Sequence, residues 1–137
     1  MFSRCLSRRI AMMAIGPLME EIYQNMNNVV IGQSQNLFSL YSAHDTTLMP
    51  ILQSLQVFDG QWAPYASMIV FELYQIDSEY GIKLIYNGET FQVPGCSDVI
   101  CPWDEFTTII QDIVAVSSQC SSAKFDSRRK FRASVGK

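Results

Sequence analysis

The only histidine of the chain is followed directly by an acid in the segment LYSAHDTTLMP, residues 40–50. Imidazole and carboxyl groups are the side chains that most often transfer protons in catalysis, so His44 and Asp45 are candidates for general acid-base chemistry. The competing interpretation is structural: Asp45 satisfies free N–H groups of a helix, and His44 is a partly buried, hydrogen-bonded side chain. Spacing alone does not decide between the two.

The elements around this pair can be predicted from local patterns. The apolar and aromatic run LFSLYSA, residues 37–43, predicts a short buried strand. The three residues that begin at Asp45 are all good cap residues, and a helix is expected through about Leu55. Pro50 fits best in the first turn of that helix, which favours Thr47 as the cap. The pair then follows a strand and precedes a helix, where open α/β sheets bind ligands.

Four cysteines are too few for a disulfide scaffold. The segment GCSDVICP places Cys96 and Cys101 five residues apart, which permits a local disulfide in an oxidising compartment. This spacing does not match a zinc pattern, and one histidine without a second close cysteine pair argues against a structural zinc site. The sequence leaves the redox compartment open.

Charge is distributed unevenly along the chain, which has a net charge of -3. Basic residues lie near both ends, and the acidic body between them contains only Lys83 as a base. Nucleic-acid binding through the body is not expected, because phosphate contacts need clustered lysine and arginine. The basic segment 124–137 predicts a disordered tail, with contact to an anionic surface as the alternative.

The N-terminal segment MFSRCLSRRIAMM allows two interpretations. It contains arginine and serine, and no acid precedes Glu20, which are features of a mitochondrial transit peptide. Apolar residues also recur at steps of three and four, which predicts a core helix with a kink or a restart at Gly16-Pro17. We favour the helix, because the periodicity continues past any plausible cleavage point. Its apolar face comprises Ala11, Ala14, Ile15, Leu18, Ile22 and Met26.

The second part of the chain predicts two strands and a helix. SMIVFELYQI and IKLIYNG have strand composition and are joined by DSEYG, which predicts a hairpin. ETFQVPGCSDVICP predicts a loop with one short strand, and WDEFTTIIQDIVAVSSQ predicts a final helix. The expected order of helix, strand, helix, strand, strand and helix indicates a mixed α/β fold. The longest apolar stretch is too short to cross a bilayer.

The segment LYSAHDTTLMPILQSLQVFDGQWAPYASMIVFELYQ resembles the histidine acid phosphatase family, whose second active-site motif is a strand that ends in His-Asp. The resemblance extends to AIGPLMEEI upstream and YNGETFQVPGCSDVICPWDEF downstream, over about residues 10–116. It implies the C-terminal part of a phosphoglycerate-mutase-like fold, with a mixed sheet and flanking helices. Within the family, the segments WAPYASMIVFELYQ and GCSDVICP look most similar to lysophosphatidic acid phosphatases, a mitochondrial branch. The resemblance therefore implies a mitochondrial location, with a secreted or lysosomal location as alternatives.

The resemblance also implies roles for individual residues. Asp45 matches the acid that protonates the departing alkoxide, and His44 matches the second histidine, which contacts the phosphate. Thr46 is expected to cap the helix rather than line the pocket. The implied substrate is a phosphomonoester, including lysophospholipids, and no metal or organic cofactor is implied.

The chain departs from the family pattern in its nucleophile. It contains no Arg-His-Gly motif, and His44 is its only histidine. No arginine occurs between residues 10 and 123, so a phosphate clamp is missing as well. Residues 1–123 are therefore interpreted as the C-terminal part of a phosphatase domain that is inactive alone. An unpaired sheet edge is expected, covered by the missing N-terminal half or an intact homologue.

Two other function classes follow from the same residues. A noncatalytic, degenerate phosphatase half would act as a binding or pairing module, stable and without turnover. A hydrolase that uses Ser42 as its nucleophile is disfavoured, because Asp45 would point away from Ser42 and His44 along a strand.

Overall fold

The computed structural model describes residues 7–121 and contains three helices packed with an antiparallel sheet. The predicted tail at 124–137 lies outside these residues. No helix within the described range has the length and apolar content to cross a membrane. The elements are α1 (Arg8–Val30), α2 (Asp45–Ser54), β1 (Ile69–Ile76), β2 (Glu79–Tyr86), β3 (Glu89–Phe91), β4 (Ile100–Pro102) and α3 (Trp103–Ser121).

The predicted mixed α/β class is confirmed, with β2 at the centre of the sheet. It pairs with β1 along one side, and with β3 and β4 along the other. On the core face, Ile82 and Leu84 of β2 are fully buried and lie opposite Leu73 and Phe71 of β1. Phe71 then contacts Phe106 of α3, with ring centroids 6.1 Å apart. This strand alternation directs one face of the hairpin towards the helices.

Helix α1 begins at Arg8 because the Ser7 hydroxyl accepts the N–H of Ile10. It continues through Pro17, so the predicted kink does not end it. Proline has no N–H to donate to the carbonyl four residues earlier, and the hydroxyl of Ser117 in α3 donates to that Met13 carbonyl at 3.4 Å. The proline is thus accommodated by a neighbouring helix, and α1 forms the core helix predicted from its periodicity.

The strand predicted over 37–43 is wrong in this structure. Residues 34–44 follow an irregular path without sheet pairing. Leu37, Phe38 and Leu40 are 98%, 76% and 81% exposed, so the apolar run that predicted burial faces solvent. A strand requires a hydrogen-bonded neighbour, and none of the four strands of the described sheet pairs with this segment.

The predicted helix cap at Thr47 is also wrong. Helix α2 begins at Asp45, because the His44 carbonyl already accepts the N–H groups of Thr47 at 2.8 Å and Leu48 at 3.1 Å. His44 is therefore the N-cap residue, and Pro50 lies inside the helix rather than in its first turn. The hydrogen bonds of the first turn are in place before the proline is reached.

A disulfide joins Cys96, in the loop that leads into β4, to Cys101 of β4 itself. Cys101 pairs with Ile82 of the central strand, so the disulfide ties the loop to the sheet. Glu105 in the first turn of α3 accepts the N–H of Ser97 at 2.7 Å and holds the same loop from the other side. The start of α3 is fixed by both contacts.

Candidate functional site

The two residues singled out by the sequence lie at the start of α2. His44 has an extended backbone, with φ -115° and ψ 165°, and its side chain makes no capping hydrogen bond. Its imidazole is exposed, whereas Asp45 is half-buried. The exposed position argues against the structural interpretation of His44 as a partly buried, hydrogen-bonded side chain.

The carboxylate of Asp45 is held by a hydrogen-bond donor at each oxygen. The backbone N–H of Thr46 donates to Oδ1 at 2.7 Å, and the indole N–H of Trp62 donates to Oδ2 at 2.7 Å. An acid in the first helical turn also interacts favourably with the helix dipole. These two contacts orient the Asp45 carboxylate, and His44, which precedes it in the chain, is exposed.

Sequence reasoning did not identify Trp62 as part of this site. It lies 17 residues after Asp45, in the segment VFDGQWAPYA between α2 and β1, whose glycine and proline indicate only a loop. The loop is anchored on both sides of the indole. Before it, the N–H of Gln61 donates to the Asp59 side chain at 2.9 Å, and after it, the N–H of Met68 donates to the Asn87 side chain at 2.9 Å. The side-chain amide of Asn87 also contacts Ser67 at 3.1 Å.

The arginines within the described residues do not lie at this site. Arg8 donates to the carbonyl of Ser54 at 3.1 Å, at the C-terminal end of α2. Asp45 begins the same helix, and its ten residues place the two ends about 13 Å apart. Arg9 donates to Gln119 of α3 at 2.8 Å. The start of α2 therefore has no arginine clamp among residues 7–121.

Among residues 7–121, the side chains close enough to hold a metal ion together are Cys96, Cys101 and Glu105. The two cysteines are joined by a disulfide, and a thiolate is the form of cysteine that binds zinc. Neither His44 nor Asp45 belongs to this group.

Comparison with known proteins identifies the family. A sequence model of the histidine phosphatase superfamily, branch 2, matches residues 2–87. The chain is 41% identical over 106 residues to lysophosphatidic acid phosphatase type 6 of Bos taurus, covering 72% of this chain and 24% of that protein. It is 34% identical over 122 residues to 2-phosphoxylose phosphatase 1 of Xenopus tropicalis, covering 80% and 24%.

A further relative is lysosomal acid phosphatase of Xenopus laevis, 34% identical over 120 residues, covering 80% of this chain and 28% of that protein. The chain spans about a quarter of the length of the curated relatives it matches. The family match includes the His44-Asp45 pair, α2 and the first strand of the sheet. Since this match covers more than half of its residues, the chain belongs to the histidine phosphatase superfamily, branch 2.

Proposed function

We propose that this chain supplies the proton-donor part of a phosphomonoester hydrolase. The observation that carries the proposal is the orientation of the Asp45 carboxylate by two donors, directly after the exposed residue His44 in the chain. Membership of a phosphatase superfamily supports the same reaction class. The named relatives are all phosphatases.

In the proposed reaction, Asp45 transfers a proton and His44 contacts the phosphate. In the first step, a P–N bond forms to a nucleophilic histidine while the P–O bond to the alkoxide breaks, and protonated Asp45 donates its proton to that alkoxide. In the second step, water attacks phosphorus, the P–N bond breaks, and the Asp45 carboxylate accepts the proton from water. His44 hydrogen-bonds a phosphate oxygen throughout. No metal is required for either step.

The nucleophile must come from outside this chain. His44 is the only histidine present and is assigned to phosphate contact, and the Arg-His-Gly motif is absent. We therefore expect the isolated chain to have negligible phosphatase activity. A second polypeptide segment, equivalent to the N-terminal part of the family domain, would supply the nucleophile and the arginines.

The exposed segment 37–43 is the surface that this second segment would cover. Leu37 and Phe38 are adjacent in sequence, so an extended backbone directs them to opposite faces, and Leu40 shares the face of Phe38. Strands with apolar side chains on both faces are typical of sheets covered on both sides. The segment also leads directly to His44, so docking here would bring a partner next to the candidate site.

The substrate class that the relatives support is the phosphomonoester. Their names refer to lysophosphatidic acid and 2-phosphoxylose, which share a phosphate ester and differ in the rest of the molecule. Lysophosphatidic acid is the first substrate to test, because that relative has 41% identity against 34% for the other.

Reconstitution tests the proposal. The chain is co-expressed with the part of the Bos taurus lysophosphatidic acid phosphatase type 6 that precedes its matching segment, and hydrolysis of p-nitrophenyl phosphate and lysophosphatidic acid is measured at acid pH. We expect no turnover by either piece alone and turnover by the complex. A partner polypeptide with its Arg-His-Gly histidine replaced by alanine is the control. Turnover by the isolated chain that depends on Ser42 would contradict the proposal and favour a different hydrolase.

A noncatalytic pairing module is the second candidate. Within residues 7–121 no arginine lies near Asp45, and this favours it, as do the exposed side chains of Leu37, Phe38 and Leu40. It predicts that the co-expressed polypeptides form a stable complex without turnover on either substrate. Size-exclusion chromatography with the activity assay separates the two candidates.

A further inference from the structure

The hydrogen bond between Trp62 and Asp45 joins residues 17 positions apart. The contact of Asp45 Oδ1 with the Thr46 N–H is local and available to other acids at a helix start. The contact at Oδ2 instead depends on the path of the whole loop between α2 and β1. The Asp45 carboxylate is thus held by a hydrogen bond from a residue that is distant in sequence.

The chemistry of the indole limits what Trp62 can do there. Its N–H is a donor and has no acceptor lone pair, so it cannot take the proton of Asp45 or pass one on. It can only fix Oδ2 as an acceptor. The second lone pair of Oδ2 and the remaining lone pair of Oδ1 are then the places where a transferable proton can be carried.

The loop is built to hold the indole in place. Ala63, next to Trp62, is buried, while Trp62 is 55% exposed and its indole N–H donates to Asp45 at the start of α2. On the C-terminal side, the N–H of Asn87 donates to the carbonyl of Met68 at 3.1 Å, and the Asn87 side chain accepts the N–H of Met68. The loop is thereby fastened to the turn between β2 and β3, which the sheet positions independently of α2.

We propose that Trp62 is a positioning residue for the proton donor Asp45. This inference rests on the proposed function, since it gives Trp62 a role in the proton transfer assigned to Asp45. Trp62 makes no covalent contribution to the reaction. It aligns one carboxylate oxygen, and its loss leaves the carboxyl free to rotate away from the leaving group.

A spectroscopic experiment tests the contact in the chain as it exists, without any activity. The two tryptophans give two indole N–H signals in a ¹⁵N–¹H spectrum, and Trp103→Phe assigns them. We expect Asp45→Ala to move the Trp62 signal towards that of a solvated indole and to leave the Trp103 signal in place. A Trp62 signal that does not respond to Asp45→Ala overturns the inference.

A double-mutant cycle in the reconstituted phosphatase tests the role. Trp62→Phe is expected to lower kcat for lysophosphatidic acid about tenfold with little change in KM, as for a lost hydrogen bond to a charged group. In an Asp45→Asn background the same substitution should have no further effect, because Trp62 acts through Asp45. Additive losses overturn the positioning role, because they indicate general damage to the fold.

The same data separate failure of the inference from failure of the proposed function. Activity that depends on Asp45 and is indifferent to Trp62→Phe overturns the positioning role alone. A complex without Asp45-dependent turnover overturns the proposed function and the positioning role with it.

Discussion

Gly16 of α1 lies directly against Ser117 of α3. A methyl group at position 16 would lie 2.2 Å from the Cβ atom of Ser117 and 2.5 Å from its hydroxyl oxygen. The same serine donates to the Met13 carbonyl that Pro17 leaves without a helical partner. The Gly-Pro pair, which in the sequence indicates a helix break, therefore lies at a close contact between two packed helices.

Gly16→Ala should destabilise the chain. Alanine favours a helix interior over glycine by about 1 kcal/mol, but the Cβ atom of Ser117 is fixed by its backbone and cannot rotate away. Overpacking of this kind costs about 1–3 kcal/mol, and urea unfolding followed by circular dichroism measures it. The control is Ser117→Gly, which removes the obstructing atom. In that background Gly16→Ala should be neutral or stabilising, and an equal loss in both backgrounds would contradict this packing.

The face of α1 shows how far periodicity predicts a core. Ala11 and Ile15 are buried as predicted, and Leu18, Ile22 and Met26 pack partly against the core. Ala14 was predicted to face inward and is exposed, whereas Met12 and Met19 are buried. A period of 3.6 residues fixes the presence of an apolar face. Its exact centre depends on which residue the neighbouring helix approaches, here Gly16.

The segment 37–43 and Trp62 show what local patterns cannot predict. The apolar composition of 37–43 predicts a strand, but a strand forms only with a neighbour, and the described sheet does not supply one. The hydrogen bond of Trp62 joins it to Asp45, 17 residues earlier in the chain, through the path of the loop between α2 and β1. No local periodicity in the sequence predicts that path. Both properties are set by non-local contacts, whereas the His-Asp pair was found from adjacent residue types.

Removal of the disulfide should lower stability by about 2 kcal/mol, as expected from chain entropy for a short closed loop. The variant is Cys96→Ala/Cys101→Ala, which retains Cys5 and Cys120 for comparison. Its unfolding free energy is compared with that of the wild-type chain with and without reductant. The reductant should destabilise the wild-type chain and leave the variant unchanged. An equal effect of reductant on both chains would place the sensitive thiols elsewhere.

Tyr74→Phe should raise the pKa of Glu72 towards its ordinary value of 4.5. The tyrosine hydroxyl donates to Glu72 at 2.6 Å and lowers this pKa, with a smaller contribution from Lys83 at 3.5 Å. Because the folded pKa is depressed, the stabilisation is present above the unfolded pKa and is lost as the pH falls through the folded pKa. The stability difference between wild type and variant should therefore shrink on acidification.

Titration of the Glu72 carboxyl carbon by NMR measures this shift directly. Tyr80→Phe is the matched control, since Tyr80 lies three residues from Lys83 on β2 and strand alternation places it on the opposite face. It should leave the Glu72 titration unchanged. A Glu72 pKa that is the same in the wild type and in Tyr74→Phe would contradict the assigned cause.

Asp45→Asn should affect substrates according to their leaving groups. In the reconstituted phosphatase, loss of a proton donor should lower kcat on lysophosphatidic acid by on the order of 100-fold or more. p-Nitrophenyl phosphate should lose much less, because its leaving group departs without protonation. Steady-state kinetics on both substrates check this, with Asp77→Asn in the exposed turn between β1 and β2 as the control. Equal losses on the two substrates would argue against Asp45 as the general acid.

Substitutions in the exposed segment 37–43 test the docking surface without a cost in folding. Phe38 and Leu40 are so exposed that Phe38→Ser/Leu40→Ser should leave the unfolding free energy of the isolated chain within about 0.5 kcal/mol of wild type. The same variant should lose the partner polypeptide, because those side chains would be buried in the complex. Co-purification and restored activity are the two measurements.

Ile76→Ser, which removes an exposed apolar side chain from the far end of the hairpin, is the matched control and should retain the partner. A complex that forms equally well with both variants would show that the second polypeptide docks on another surface, since of the substituted residues only Phe38 and Leu40 lie on the segment that leads into His44.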